Sequence, residues 1–168
     1  SGKSTVAKHL SNKRIPFVRT KFSGTLKKML MQIPNVTVDM IEGELKEEPQ
    51  ELFGGKTPRE VMQTLGTEWG RDSVYSKIWL DSWERSINDL TYIVVEDLRY
   101  LNEAELVKRR GGQIWRIKRP DYKCNGHISE TEMEGIDPDI TIRNNGSVEE
   151  LHAMIDSILV PWSGEDIE

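Results

Sequence analysis

The residues Ser1-Gly2-Lys3-Ser4-Thr5 carry the most legible chemistry in the chain. They match the end of the pattern G-x-x-x-x-G-K-S/T, in which a glycine-rich loop and the start of the following helix present backbone N–H groups to phosphate. In such a loop the lysine, here Lys3, meets the β- and γ-phosphates, and the hydroxyl of Ser4 ligates Mg²⁺. Gly2, Lys3, Ser4 and Thr5 are thus expected to bind ATP. A second constellation, Glu96-Asp97-Leu98-Arg99, follows the apolar run Tyr92-Ile93-Val94-Val95. A carboxylate at the carboxyl end of a buried parallel strand stands where ligands bind in such sheets and can orient Mg²⁺ or its waters. Asp97 is placed on the metal side. Arg99, within the same turn of chain, offers a guanidinium to an acceptor phosphate.

These groups need particular elements to hold them. Val6, Ala7 and Leu10 follow the loop at helical spacing, so the loop opens into a helix. Ile15-Pro16-Phe17-Val18 reads as a short strand, and a helix with Leu26, Met29 and Leu30 on its apolar side comes next. The acidic stretch 35–55, with Pro49 and Gly54-Gly55, reads as an inserted helical or loop segment. Thr57-Pro58-Arg59-Glu60 is a strong helix start, and that helix, carrying Val61, Met62 and Leu65, is expected to stop near Gly66. A helix with Ile78, Trp79, Leu80 and Trp83 on its buried side is expected over 76–87. Tyr92–Val95 fits a strand covered on both faces. A helix over 103–109, strands over 113–117 and 140–142, and a closing helix over 147–159 complete the pattern, the last with Ser147 and Glu150 at capping-box spacing. Alternating strands and helices imply an α/β domain with a parallel sheet. The sequence opens inside its phosphate motif, so a strand and a first loop glycine are expected to precede residue 1.

The balance of residues narrows the function classes. A chain of 168 residues, 36% hydrophobic and 30% charged, is expected to be one soluble domain with a single core. Its net charge of −5 argues against a protein that wraps nucleic acid, whose affinity comes from dense Lys/Arg surfaces. No apolar run approaches the length of a membrane span, so a cytoplasmic protein with no membrane partner is expected. The single cysteine, Cys124, can form no internal disulfide and marks no zinc site.

The segment from Gly55 to Asp72 is the most distinctive. With Arg59, Met62-Gln63-Thr64-Leu65-Gly66-Thr67-Glu68 and Trp79, it resembles the tailed-bacteriophage deoxynucleoside monophosphate kinases, a branch of the P-loop nucleoside monophosphate kinase group. The resemblance continues through Val94–Arg99, Arg119-Pro120, His127–Glu130 and Asp139–Leu151, and so covers nearly the whole chain in order. It implies a P-loop kinase three-layer sandwich, a parallel sheet flanked by helices, as a single domain over 1–168. It also implies an acceptor-binding helical region over 35–90 and a small lid over 120–135. Arg59 and Arg71 would bind the acceptor phosphate bidentately. Gln63 would hydrogen-bond a base edge, and Trp79 would stack on the base or pack in the core. Arg119 would stabilise the transferring phosphoryl group. Asn144 would contact the adenine, although an Asn-Gly turn feeding a helix cap also accounts for that stretch. His127 takes a structural role. The family often shows Ala-x-Pro-Leu-Lys after the second strand, whereas this chain has Ser23-Gly24-Thr25-Leu26-Lys27 and matches only at Leu26-Lys27.

The activity implied is ATP + dNMP giving ADP + dNDP with Mg²⁺, with Lys3, Asp97, Arg99 and Arg119 as the catalytic set. Small-molecule nucleotides are the expected partners, and the sequence leaves a homodimer open. A dephospho-coenzyme A kinase is the nearest rival; its alcohol acceptor would turn Asp97 into a base. A regulatory module that binds ATP without turning it over is the rival from another class.

Overall fold

The computed structural model describes residues 2–14, 16–119, 133 and 135–159. Cys124, His127, Glu130 and nearly all of the lid expected over 120–135 lie outside them. The chain divides into two compact units, one made of Ser1–Thr20 with Thr91–Glu168 and the other of Lys21–Leu90. The region 35–90 lies inside the second unit.

In the first unit, helix α1 (Lys3–Ser11) buries Val6, Ala7 and Leu10, which helical spacing places on one face. Strand β1 (Val18–Thr20) pairs in parallel with β2 (Ile93–Val95), Val18 opposite Ile93 and Thr20 opposite Val95. It begins later than the sequence suggests. Pro16 has no N–H to give to a ladder, and the N–H of Phe17 bonds instead to the carbonyl of Leu10. The ladder is entered by the N–H of Val18, 2.8 Å from the carbonyl of Tyr92. β3 (Trp115–Lys118) and β4 (Ile140–Arg143) form a second parallel pair, from Trp115 opposite Ile140 to Lys118 opposite Arg143.

Parallel pairing is therefore as expected, but the described strands make two two-stranded sheets rather than one. One core serves them: Val6, Leu10, Ile142, Leu151 and Ile155 are buried together, with Val94, Trp115, Ile117 and Ile140 packed against them. Helix α1 and the closing helix, whose full range is Val148–Leu159, thus cover residues from β2, β3 and β4. That closing helix starts at the expected box, with Ser147 N–H on Glu150 at 2.8 Å and Glu150 N–H on the Ser147 hydroxyl at 3.1 Å.

The second unit is helical. Helix α2 (Gly24–Leu30) buries Leu26 and Leu30 but leaves Met29 exposed. The acidic insertion becomes α3 (Val38–Glu42) and two short 3₁₀ turns, Glu44–Glu47 and Glu51–Phe53. Helix α4 (Pro58–Gln63) begins with proline in its first turn and a complete capping box between Thr57 and Glu60. It does not stop near Gly66. The chain continues as a π-helix over Thr64–Val74 and ends with the N–H of Tyr75 on the carbonyl of Gly70, a bond five residues back. Glycine reads locally as a helix stop, but here the two glycines sit against helix α5 (Ile78–Ser86). The Trp79 indole N–H bonds to the Gly66 carbonyl at 2.7 Å, and the indole lies directly over Gly70. Trp79, Leu80 and Trp83 of α5 are buried, and Phe22 packs on Trp83 with ring centroids 4.5 Å apart. Leu30, Val36, Ile41 and Met62 form another core cluster of this unit. No helix among the described residues is long and apolar enough to cross a membrane.

Candidate active site

The first turn of α1 is prepared by Gly2, which holds the left-handed conformation at φ 98°. Only glycine adopts this readily, because a Cβ there would crowd the following carbonyl. A Cβ on Gly2 would also stand 2.7 Å from Nδ2 of Asn144. The glycine therefore lets Asn144, the residue after β4, close on the head of α1. The Asn144 N–H is bonded to the Lys118 carbonyl at 2.7 Å, and Arg119 follows Lys118 at the exposed end of β3. Gly2, Asn144 and Arg119 are thus gathered at the carboxyl ends of β3 and β4, the edge at which ligands bind in parallel α/β sheets. Lys3 and Ser4 are exposed in the same turn of α1. The first N–H groups of an α-helix have no partner within the helix, which suits that end to anions.

The carboxyl end of β2 carries Glu96, Asp97 and Arg99. Glu96 has only 4% of its side chain exposed, and both its oxygens meet Nη2 of Arg19, at 2.9 and 3.0 Å. The backbone N–H groups of Arg99 and Tyr100 donate to Glu103 at 2.7 and 3.1 Å, and Glu103 is 2% exposed. That carboxylate caps helix α6 (Leu101–Arg109) and sets the direction in which the chain leaves Asp97 and Arg99.

The far end of α1 is tied to the closing helix. His9 Nε2 lies 2.8 Å from Asp156 Oδ1, Lys13 pairs with the same carboxylate, and the rings of His9 and His152 stack with centroids 3.9 Å apart. The hydrogen bond from Lys13 comes first in holding the Asp156 carboxyl below its ordinary range; burial, next in size, opposes it, and His9 assists.

The acceptor-side candidates Arg59, Gln63, Arg71 and Trp79 belong to the second unit. Arg59 pairs with Glu47, and Nη1 of Arg71 reaches the Ser76 carbonyl at 3.4 Å. Gln63 is the half-buried last residue of α4. Trp79 is 4% exposed and holds the packing position already described, the core alternative of its two readings. Among the described residues no group of three or more His, Cys, Asp or Glu side chains is placed to hold a metal.

Sequence reasoning missed the Arg19–Glu96 pair and the His9–Asp156 contact, whose partners are 77 and 147 residues apart and leave no local signal. The Glu103 cap could have been found. An acidic residue three positions after Tyr100 is the N3 spacing of a helix start.

Parallel strand pairs, a left-handed glycine at the head of α1 and polar groups at the strands' carboxyl ends define an α/β protein suited to phosphorylated ligands. The family model for deoxynucleotide monophosphate kinase matches residues 28–155. This chain belongs to that family. A protein of Acanthamoeba polyphaga mimivirus, provisionally named a deoxynucleotide monophosphate kinase, is 32% identical over 92% of this chain and 89% of its own length. The deoxynucleotide monophosphate kinase of Enterobacteria phage T4 is 31% identical over 60% of this chain. The deoxynucleoside-5'-monophosphate kinase of Escherichia phage T5 is 43% identical over 31%. The matched regions span 44% and 22% of the T4 and T5 proteins, less than half of each.

Proposed function

We propose that the protein transfers the γ-phosphate of ATP to a deoxynucleoside monophosphate, giving ADP and the deoxynucleoside diphosphate. The observation that carries this reading is the family match over residues 28–155, which takes in Arg59, Gln63, Arg71, Asp97, Arg99, Arg119 and Asn144. The cradle that Gly2 leaves for Asn144 at the head of α1 supports it.

Phosphoryl transfer demands positioning and charge neutralisation more than proton abstraction, since a phosphate acceptor is already nucleophilic near neutral pH. An acceptor oxygen bonds to the γ-phosphorus as the bridging oxygen departs with ADP. Lys3 holds the β- and γ-phosphates, Thr5 and Asn144 complete the ATP contacts, and Arg99 and Arg119 neutralise charge on the transferring group. Arg59 and Arg71 bind the acceptor phosphate, and Gln63 addresses the base. Mg²⁺, whose hard oxygen preference suits the Ser4 hydroxyl and Asp97 carboxylate, would offset negative charge on the donor phosphates. Because Mg²⁺ keeps waters and phosphate oxygens as ligands, two protein donors suffice.

The architecture that goes with this reading is a three-layer P-loop sandwich, with 120–135 closing as a lid to keep water from the γ-phosphate. The protein works in the cytoplasm on small-molecule nucleotides. The family match does not favour the coenzyme A precursor as acceptor.

A coupled ADP-release assay on the full-length protein with ATP, Mg²⁺ and each common dNMP tests the proposal. ADP release should depend on a dNMP and fall at least about 100-fold in Lys3→Ala. Release driven only by the coenzyme A precursor, or an unchanged rate in Lys3→Ala, would overturn it.

A further inference from the structure

The Arg19–Glu96 ion pair enters none of the roles above, yet its carboxylate stands one residue before Asp97. We propose that Arg19, through Glu96, fixes the stretch of chain that presents Asp97 and cancels a negative charge that would otherwise oppose the donor phosphates. Both are positioning residues in this role, and the inference rests on the kinase reading above.

The ladder between β1 and β2 ends with Thr20 opposite Val95, so no pairing of these strands directs the residues that follow. Two carboxylates take over from it. Glu96, with 4% of its side chain exposed, gives both oxygens to Nη2 of Arg19, at 2.9 and 3.0 Å. Glu103, 2% exposed, accepts from the N–H groups of Arg99 and Tyr100 at 2.7 and 3.1 Å. Asp97 and Leu98 are the two residues left between these anchors. One anchor is a local helix cap, and the other reaches 77 residues back to β1. A catalytic group misplaced by about 1 Å can lose about 100-fold in rate, so Asp97 depends on both ends of this short span.

The pleat of β1 and β2 sets where the charge lies. Arg19 is opposite Val94, and side chains at paired positions of a parallel ladder share a face. Val94 packs with Val6 and Leu10 of α1. Alternation returns the side chain two residues on, that of Glu96, to this face, where Arg19 meets it. Glu96 is therefore on the α1 side of the sheet, and α1 carries Lys3 and Ser4 in its first turn. A covered carboxylate without its cation would repel the β- and γ-phosphates, more strongly than it would in water. With Arg19 bound to it, the pair is neutral.

Two measurements on the full-length protein test the proposal. Calorimetric titration with ATP in EDTA reads the charge. Arg19→Met should weaken ATP binding at least about fivefold, and adding Glu96→Gln, which removes the bare anion, should bring it back to within about twofold of wild type. Steady-state kinetics with ATP, Mg²⁺ and a dNMP read the positioning. Arg19→Met should lower kcat at least about tenfold, and adding Glu96→Gln should not recover it. In an Asp97→Asn background the same Arg19→Met change should lower kcat less than about threefold, since the group it places is gone. Arg19→Lys keeps the cation without the planar fork, so it should bind ATP as wild type does and lose kcat at least about threefold. It stands in where Arg19→Met does not fold. A merely structural pair would lower the thermal midpoint and leave ATP affinity and kcat per folded molecule unchanged. Unchanged ATP affinity in Arg19→Met, unchanged kcat in both Arg19 variants, or an undiminished loss in the Asp97→Asn background overturns the inference while the kinase reading stands. If wild type releases no ADP with any dNMP, the kinase reading fails and the positioning role falls with it.

Discussion

Replacing Gly70 by alanine separates a packing role for Trp79 from simple helix propensity. Inside a helix, glycine to alanine ordinarily stabilises by about 0.5–1 kcal/mol through lost unfolded-state freedom. At Gly70 a Cβ would stand 2.6, 2.7 and 2.8 Å from Cζ2, Nε1 and Cε2 of Trp79. The indole cannot swing aside cheaply. It is a rigid ring, 4% exposed, anchored to the Gly66 carbonyl at 2.7 Å. Overpacking of this kind costs about 1–3 kcal/mol, so the net expectation is a loss of about 1–2 kcal/mol. For a chain of this length that lowers the thermal midpoint by roughly 2–8 °C. A double-mutant cycle with Trp79→Leu, which removes all three clashing atoms, should show coupling of about 1 kcal/mol or more, the pair being less damaged than the sum. Stabilisation by Gly70→Ala, or strict additivity with Trp79→Leu, would refute the packing.

Gly2→Ala forces a Cβ into the left-handed region at φ 98° and against Asn144. It should cost about 1–2 kcal/mol in a thermal melt and raise the KM for ATP without raising that for dNMP. Glu103→Ala strips the acceptor from the N–H groups of Arg99 and Tyr100. It should lower stability by about 1–3 kcal/mol in urea titration and reduce kcat, because Arg99 loses its backbone anchor. Burial raises the Glu42 carboxyl, but hydrogen bonds and charge from Lys27 at 2.8 Å and Lys21 at 2.9 Å outweigh it and set the group below its ordinary 4.5. A lowered carboxylate adds stability that is complete above 4.5 and is lost as pH falls through the folded value. The advantage of wild type over Glu42→Gln should therefore be flat near neutrality, below about 1 kcal/mol, reduced by salt, and gone in acid.

The elements were largely legible in the sequence because each is written in residues close together. Val6, Ala7 and Leu10 mark α1, Thr57-Pro58 with Glu60 marks the start of α4, Ser147 with Glu150 marks the closing helix, and β-branched runs mark β2 and β4. Parallel pairing followed from the alternation of strands with helices. The site was legible where a motif holds its own geometry, as Gly2 does at the head of α1. It was not legible where a distant residue decides the role. Glycine at 66 reads as a stop until Trp79 is known to pack over that stretch, and Trp79 reads equally as a stacking face or a core residue until its burial is seen.

By itself the sequence determined which segments are helix or strand, where a glycine turn opens into α1, and which charges stand at strand ends. Hydrophobic period, capping and turn chemistry act over a few residues. Only the tertiary structure decided that Glu96 is covered and paired to Arg19, that Asn144 closes on Gly2, and that Trp79 belongs to the core. Those outcomes depend on which distant side chains come within a few ångströms after the chain has packed, and no local pattern records that.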